Sequence, residues 1–385
     1  MNTIEIKNFG PIEQGKIGFG DITFFVGPQA SGKSIVLQLL KLLEDKKVIR
    51  EELEKRGYVW APKDVNKNLD LVFGEGMNSI WKKDTVIHYD GKKIEKNKIL
   101  EPGRIHTKTL EEHLFYIPAQ RVLCISNGWP RFFTDYEAGV PFVVKHFSET
   151  LRRLMEDSFS SFKKKSVFPQ PNRLKKDLRN SINDNIYHEG TIELDVTDRK
   201  RFVLKFGKIS IPFTSWSAGQ KEFLPLLLSM YWLCPPAKVK LKSGLKYVVI
   251  EEPEMGLHPK AIITSLLNFI ELVTRGYKVV ISTHSSVLLE FAWAIKYLQA
   301  SNAPASSLFE LFKIKKNAQM EQMFKELLKS KTLNSYFFEI EGSKVNIKDI
   351  SSLDAGSEDK GTANFGGLTD FASVASELVS KYVTE

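Results

Sequence analysis

Cysteine is nearly absent: Cys124 and Cys234 are the two in a chain of 385 residues, and neither belongs to a C-x-x-C pair. That scarcity argues against a disulfide framework and against a structural zinc site. Long apolar runs are missing too. The longest, residues 223–233, is about half of what a membrane-crossing helix needs, so no membrane partner is expected. The opening Met-Asn-Thr-Ile-Glu-Ile-Lys puts a carboxylate where a secretory signal needs apolar side chains, and a cytoplasmic location is expected. There is also no internal repeat and no heptad run long enough for an extended coiled coil.

What is present fits a folded chain of two or three lobes: 42% of residues are hydrophobic and 26% charged. The formal charge of +9 favours anionic partners without naming one. Part of the excess is local. Between residues 145 and 208 lie Lys163-Lys164-Lys165, Lys175-Lys176 and Arg199-Lys200-Arg201, with Phe159, Phe162 and Phe168 among them. The five lysines 163, 164, 165, 175 and 176 are candidate contacts to DNA; a solvated helical surface explains them equally.

Apolar runs at residues 21–26, 114–117, 247–250 and 278–281 read as strands buried on both faces. Helically spaced segments separate several of them, and each run ends in polar residues. This is the pattern of a mainly parallel α/β sheet, which binds ligands at the carboxyl ends of its strands. Residues 69–73 and 85–89 read as strands of a peripheral sheet, and residues 191–196 and 201–206 as a hairpin. Residues 142–160 and 173–186 read as helices, and residues 336–347 as a C-terminal hairpin.

After the first of these strands come Gly27, Pro28, Gln29, Ala30, Ser31, Gly32, Lys33 and Ser34, matching G-x-x-x-x-G-K-S/T. Glycines let backbone N–H groups turn inward around phosphate oxygens, and the helix that follows presents its positive end. Lys33 would supply a point charge to the β- and γ-phosphates, and the Ser34 hydroxyl would ligate Mg²⁺. A plain glycine turn competes with this reading, and the strand–loop–helix setting counts against it.

Glu251 and Glu252 end the strand at 247–250. The first would hold Mg²⁺ and the second would orient or deprotonate the water that attacks the γ-phosphate. A solvated acidic strand end is the bland alternative, weakened because a strand buried on both faces places two carboxylates where a cation is needed. Ser217, Ala218, Gly219 and Gln220 open an apolar helix; an ordinary N-cap explains such a tetrapeptide in most proteins, so its value lies in order and spacing. His284 fits a γ-phosphate sensor or a hydrogen-bonded strand-end histidine. Gln120 fits a sensor of Mg²⁺ and the attacking water, or a loop amide.

Taken in order, residues 27–34, Gln120, residues 217–220, residues 248–252 and His284 resemble the Walker A, Q-loop, signature, Walker B and switch segments of ABC-type ATPases, with Leu257-His258-Pro259 as the D-loop. The flavour is that of the chromosome-maintenance (SMC) and OLD-like branch. The opening Ile4-Glu5-Ile6-Lys7-Asn8-Phe9-Gly10-Pro11-Ile12, Tyr116-Ile117-Pro118-Ala119-Gln120-Arg121 and the stretch from Ile250 to Pro259 carry it. Two departures stand out: Glu251 replaces the Asp usual in transporters, and residues 217–220 lack the transporter signature's second glycine.

The resemblance implies an ABC-type P-loop NTPase head with a mainly parallel core sheet, a peripheral antiparallel sheet and a compact helical insertion lobe. The expected divisions are 1–140 and 191–300 for the two halves of the head, 141–190 for a basic lobe, and 301–385 for a C-terminal extension open to a partner. It further implies a homo-oligomer in which two heads sandwich two ATP molecules with Mg²⁺, Lys33 of one opposing Ser217 of the other. Fewer than a hundred residues separate Gln120 from Ser217, which leaves no room for SMC arms. No D-x-D follows His284, unlike an OLD nuclease. Two functions fit: an ATPase subunit of a bacterial antiphage system resembling PARIS or Septu, controlling a separate effector, or a RecF-type DNA repair ATPase.

Overall fold

The computed structural model describes residues 1–61, 64–100, 110–159, 166–235, 241–242 and 244–382; Lys163, Lys164 and Lys165 lie outside them. Among the described residues ten strands form one sheet: β1 Thr3–Phe9, β2 Ile12–Gly18, β3 Ile22–Val26, β4 Trp81–Tyr89, β5 Lys92–Ile94, β6 Leu114–Ile117, β7 Tyr247–Glu251, β8 Lys278–Thr283, β9 Leu333–Glu341 and β10 Lys344–Asp349. Their spatial order is β5-β4-β1-β2-β10-β9-β3-β8-β7-β6. From β9 to β6 every pairing is parallel. The β5-β4-β1-β2 wing is antiparallel. The expected parallel core and antiparallel periphery are thus one continuous sheet, joined through the β9–β10 hairpin. A separate antiparallel sheet holds Ser166–Phe168, Thr191–Asp195, Arg201–Phe206 and Ile209–Pro212, including the expected hairpin.

The continuous apolar runs are central because both faces of these strands are covered. Helices α1 Lys33–Lys55, α2 Phe142–Phe159, α3 Ala218–Leu233, α4 Pro259–Arg275 and α5 Ser286–Ala300 provide the cover. Alternate residues feed two cores. Phe25, Val249 and Val280 meet Val36, Leu37 and Leu40 of α1. Phe24, Val248, Ile250 and Ile281 face the opposite layer, built from Leu151 of α2, Leu224 of α3, Leu266 of α4 and Leu288 of α5.

Three expectations change. Residues 69–73 are not a strand but the end of a helix, Val65–Phe73, capped by the Asp64 carboxylate at the Lys67 N–H (3.0 Å) and closed by Gly74 at φ +110°. Leu69, Val72 and Phe73 are buried at helical spacing, so this apolar run fills one helix face. Residues 333–349, assigned to an extension, supply two strands near the middle of the sheet. The segment 141–190 begins with a helix, α2, whose Phe147, Leu151, Leu154 and Met155 lie in the main core.

A buried polar cluster fixes α1 against β6. Lys41 Nζ donates to Asp45 Oδ2 (2.7 Å), Glu112 Oε1 (2.5 Å) and the Leu114 carbonyl (2.6 Å). Asp45 also accepts the His113 and Leu114 N–H groups (2.8 and 3.0 Å), at a point where α1 departs from helical geometry (φ −126°, ψ 25°). His146 of α2 joins through Glu112 (3.0 Å). Asp45→Ala would strip Lys41 of a partner and orphan two amides. It should cost about 3–5 kcal/mol, read as a lowered urea midpoint; a loss below about 1 kcal/mol would show that the cluster does not hold α1.

Candidate functional site

The four strands β3, β8, β7 and β6 lie side by side and run parallel, so their carboxyl ends form one edge. Onto that edge they deliver, in spatial order, residues 27–34, His284, Glu251 with Glu252, and Gln120. Segments far apart in sequence thus become neighbours through topology alone.

The glycine loop is conformationally demanding. Gly27 has φ +143°, and a Cβ there would meet the Phe338 carbonyl oxygen at 2.6 Å. Gly32 has φ +90°, and a Cβ would meet Pro11 Cγ at 2.9 Å. Only glycine fits either place. The loop closes on its own lysine: Lys33 Nζ donates to the Gly27 and Pro28 carbonyls (2.8 Å each) and to Ser31 Oγ (3.3 Å). Burial pulls the Lys33 ammonium down to about 8, against the pull of Glu252, Glu254 and Glu251.

Glu251 is buried. Its Oε2 accepts the Ala119 N–H (3.2 Å), while Oε1 finds no partner among the described residues. Burial pushes its carboxyl upward, and the Ser34 hydroxyl against it pulls the other way. A buried acceptor without a partner beside a hydroxyl at a phosphate loop suits a hard cation that keeps several waters. Glu251 and Ser34 therefore fit Mg²⁺ brought in with a nucleotide. Among the described residues no group of three or more His, Cys, Asp or Glu forms a metal site on protein ligands alone.

Glu252 stands at φ +41°, a left-handed backbone that turns its side chain off the line of the strand. Its N–H donates to the Ser282 carbonyl (2.9 Å), and its Oε1 lies 3.6 Å from His284 Nε2. The histidine, ahead of burial, holds the Glu252 carboxyl below its usual range. Gln120 is exposed just past β6.

Ser217 caps α3. Its hydroxyl accepts the Gln220 N–H (3.3 Å), and Gln220 Oε1 accepts the Ser217 N–H (3.1 Å). This is a capping box. Gln220 Nε2 also donates to the Ile186 carbonyl (3.2 Å). Residues 217–220 thus bond to their own helix and to Ile186, while Ser217 and Ala218 are exposed. Gly219 packs on the loop after β7: a Cβ there would lie 3.0 Å from the Gly256 carbonyl oxygen.

Of the described basic residues, Lys175 pairs with buried Glu271 of α4, and Lys176 is exposed. Arg173 nearby donates to the Tyr231 carbonyl (2.7 Å) and Ser158 Oγ (2.9 Å).

Two residues of the site have no role of their own assigned from sequence. Arg121 is fully buried, its guanidinium set among the Glu222, Glu251, Glu252 and Pro253 carbonyls. Glu254 accepts from Thr283 Oγ1 (2.8 Å) and the His284 N–H (2.5 Å), tying β8's end to the loop after β7. Both stand within segments that carry the family resemblance, where only their neighbours are given roles.

Comparison with known proteins gives two family matches and several similar solved structures. Residues 1–124 match a family described as "AAA ATPase domain". Residues 142–290 match one described as "AAA domain, putative AbiEii toxin, Type IV TA system". Both matches are to AAA-type ATPase domains, ATP is the nucleotide such domains bind, and the fold that carries them here is α/β. No curated protein matches it. Similar solved structures include an SMC head bound to the C-winged helix domain of ScpA, at 11% identity over 90% of this chain and 96% of that one, TM-score 0.39. The SMC head domain from Thermotoga maritima gives 12% identity over 90% and 98%, TM-score 0.33. A dimeric bacterial ABC transporter cassette gives 11% over 74% and 89%, TM-score 0.32.

The position of Lys33 has a consequence for pH. A bound phosphate would raise its pKa above the value of about 8 in the free protein, so ATP binding takes up a proton once Lys33 has begun to lose its own. Affinity for ATP should be flat below about pH 7 and fall by up to tenfold per unit above about pH 8. Calorimetric titration in buffers of differing ionisation enthalpy reads both the fall and the proton; a flat affinity to pH 9.5 would remove Lys33 from the phosphate contact.

Proposed function

We propose that this chain is an ATP-driven switch that works in pairs and governs a separate effector. Lys33 and the loop amides of residues 27–34 would hold the β- and γ-phosphates. Ser34 and Glu251 would hold Mg²⁺, whose charge would draw electron density from the γ-phosphate. Glu252 would take a proton from the attacking water, with His284 fixing its carboxylate and Gln120 near the same water. The observation that carries pairing is the state of residues 217–220: a helix N-terminus with exposed Ser217 and Ala218, bonded within its own helix and to Ile186. Such an end suits the γ-phosphate on a second copy. ATP then acts as glue, and hydrolysis releases it.

The output is a conformational change handed to another protein. We read the setting as antiphage defence, with a nuclease or toxin as the controlled partner. The toxin-system description of the family matching residues 142–290 supports this reading. The DNA-repair reading stays the alternative: Lys175 is paired with Glu271, while Lys176 is exposed.

Two variants test the cycle. Lys33→Ala should weaken ATP binding by about 3 kcal/mol, on the order of 100-fold; undiminished affinity would refute the loop assignment. Glu252→Gln should bind ATP normally and turn over about 10²–10⁴ times more slowly, accumulating a two-headed species whose native mass is read with ATP and Mg²⁺. Purified with the products of neighbouring genes, that trapped species should retain a nuclease-like or toxin chain. A bare pair that shifts only on addition of duplex DNA would favour the repair clamp.

A further inference from the structure

Arg121 is the most heavily engaged buried cation at the site, and nothing in the cycle above uses it. Its side chain is wholly inaccessible. Nε donates to the Glu222 carbonyl (3.2 Å). Nη1 donates to the Glu251 and Glu252 carbonyls (3.1 Å each). Nη2 reaches the Pro253 carbonyl (3.4 Å). The nearest carboxylate oxygen, Glu222 Oε2, stands 3.6 Å from Nε. The guanidinium therefore grips backbone from two separate segments: the loop that carries Glu252 and the second turn of α3.

That turn has an unusual ladder. Pro225 lies inside α3 and has no N–H to return to the carbonyl four residues back, Lys221. The turn Arg121 holds is thus short of one internal bond, and its position depends more on outside contacts. The same turn packs on the loop after β7 through Gly219 and Gly256. A shift in the backbone of residues 251–253 cannot leave α3 in place without breaking the Arg121 bonds.

We infer that Arg121 is a positioning residue that couples the two nucleotide sites of a head pair. On one side it fixes the left-handed backbone that aims Glu252 at its own nucleotide. On the other it fixes the helix whose first residues would touch the nucleotide of the second copy. Events at one γ-phosphate are transmitted to the other through a single guanidinium plane. This rests on the paired-head reading of the preceding section.

The test is ATP turnover by the full chain as a function of ATP concentration, wild type against Arg121→Lys. Lysine keeps the charge and loses the fork. The wild type should show a Hill coefficient approaching two, the limit for two sites. Arg121→Lys should show a coefficient of about one, kcat reduced at least about tenfold, and ATP affinity within about twofold of wild type, because Arg121 does not touch residues 27–34. A purely structural loss would lower the active fraction and scale kcat without changing the Hill coefficient; that outcome overturns the inference, as does an unchanged Arg121→Lys. If Arg121→Lys does not fold, Arg121→Gln, which keeps a planar amide donor too short to span both segments, should lower the coefficient in the same direction; an unaltered coefficient there also overturns it. A wild type that hydrolyses ATP without cooperativity and never pairs would instead refute the head-pair reading itself.

Discussion

The architecture depends on ending four buried parallel strands at one edge and placing acid there. Glu251, Glu252 and Glu254 follow one another at the tip of β7. Burial drives Glu251 and Glu254 upward, while His284 holds Glu252 down. An uncompensated cluster of this kind would be costly. Two cations offset it from opposite sides, Lys33 from the phosphate loop and Arg121 from the end of β6, and both are influenced by these same carboxylates. The glycine loop, the strand order and the buried guanidinium are thus parts of one electrostatic arrangement. Nucleotide and Mg²⁺ would enter it by exchanging partners: phosphate oxygens for the carbonyls now held by Lys33, and a cation for the unpaired Glu251 Oε1.

Much of this was legible because its signals are local. Residues 27–34 combine spacing with strand and helix flanks, and the runs at 114–117, 247–250 and 279–281 are apolar throughout because both faces of those strands are buried. What was not legible is what distant segments decide. Residues 69–73 look like a strand by composition, but the positions of Leu69, Val72 and Phe73 suit one helix face, and Asp64 and Gly74 bound a helix. The hairpin of residues 333–349 was recognisable; its seat between β2 and β3 was not, since parallel pairing of β9 with β3 leaves no mark in either segment. Arg121 sits next to Gln120 in sequence, yet its role follows from carbonyls about 100 to 132 residues away.

The basic stretch illustrates the same limit. Counted by composition, residues 145–208 suggest an exposed surface for polyanions. In the fold, Lys145 is buried beside the Tyr58 ring (4.5 Å) and donates to the Ala138 carbonyl (3.2 Å), Arg173 caps backbone at the end of α3, and Lys175 neutralises Glu271, whereas Lys176, Arg199, Lys200 and Arg201 are exposed. A buried charge held by partners is costly to strip of them and is not available to a ligand. Net charge describes the whole molecule's attraction for anions; it does not locate a binding face.

The choice of arginine at residue 121 follows from geometry. An ammonium radiates three donors from one point and binds a tight cluster of acceptors, as Lys41 and Lys33 do here. The acceptors around residue 121 are instead spread over two chain segments, with Glu222 on one side and residues 251–253 on the other. A plane with donors on several edges can span them, and a point charge cannot. The same spread makes the contact mechanically informative. If residues 251–253 move when Glu252 engages a water or loses one, the guanidinium must tilt or break bonds, and either change reaches α3. A buried cation surrounded by backbone is therefore well suited to report the state of one nucleotide to the surface that meets the other.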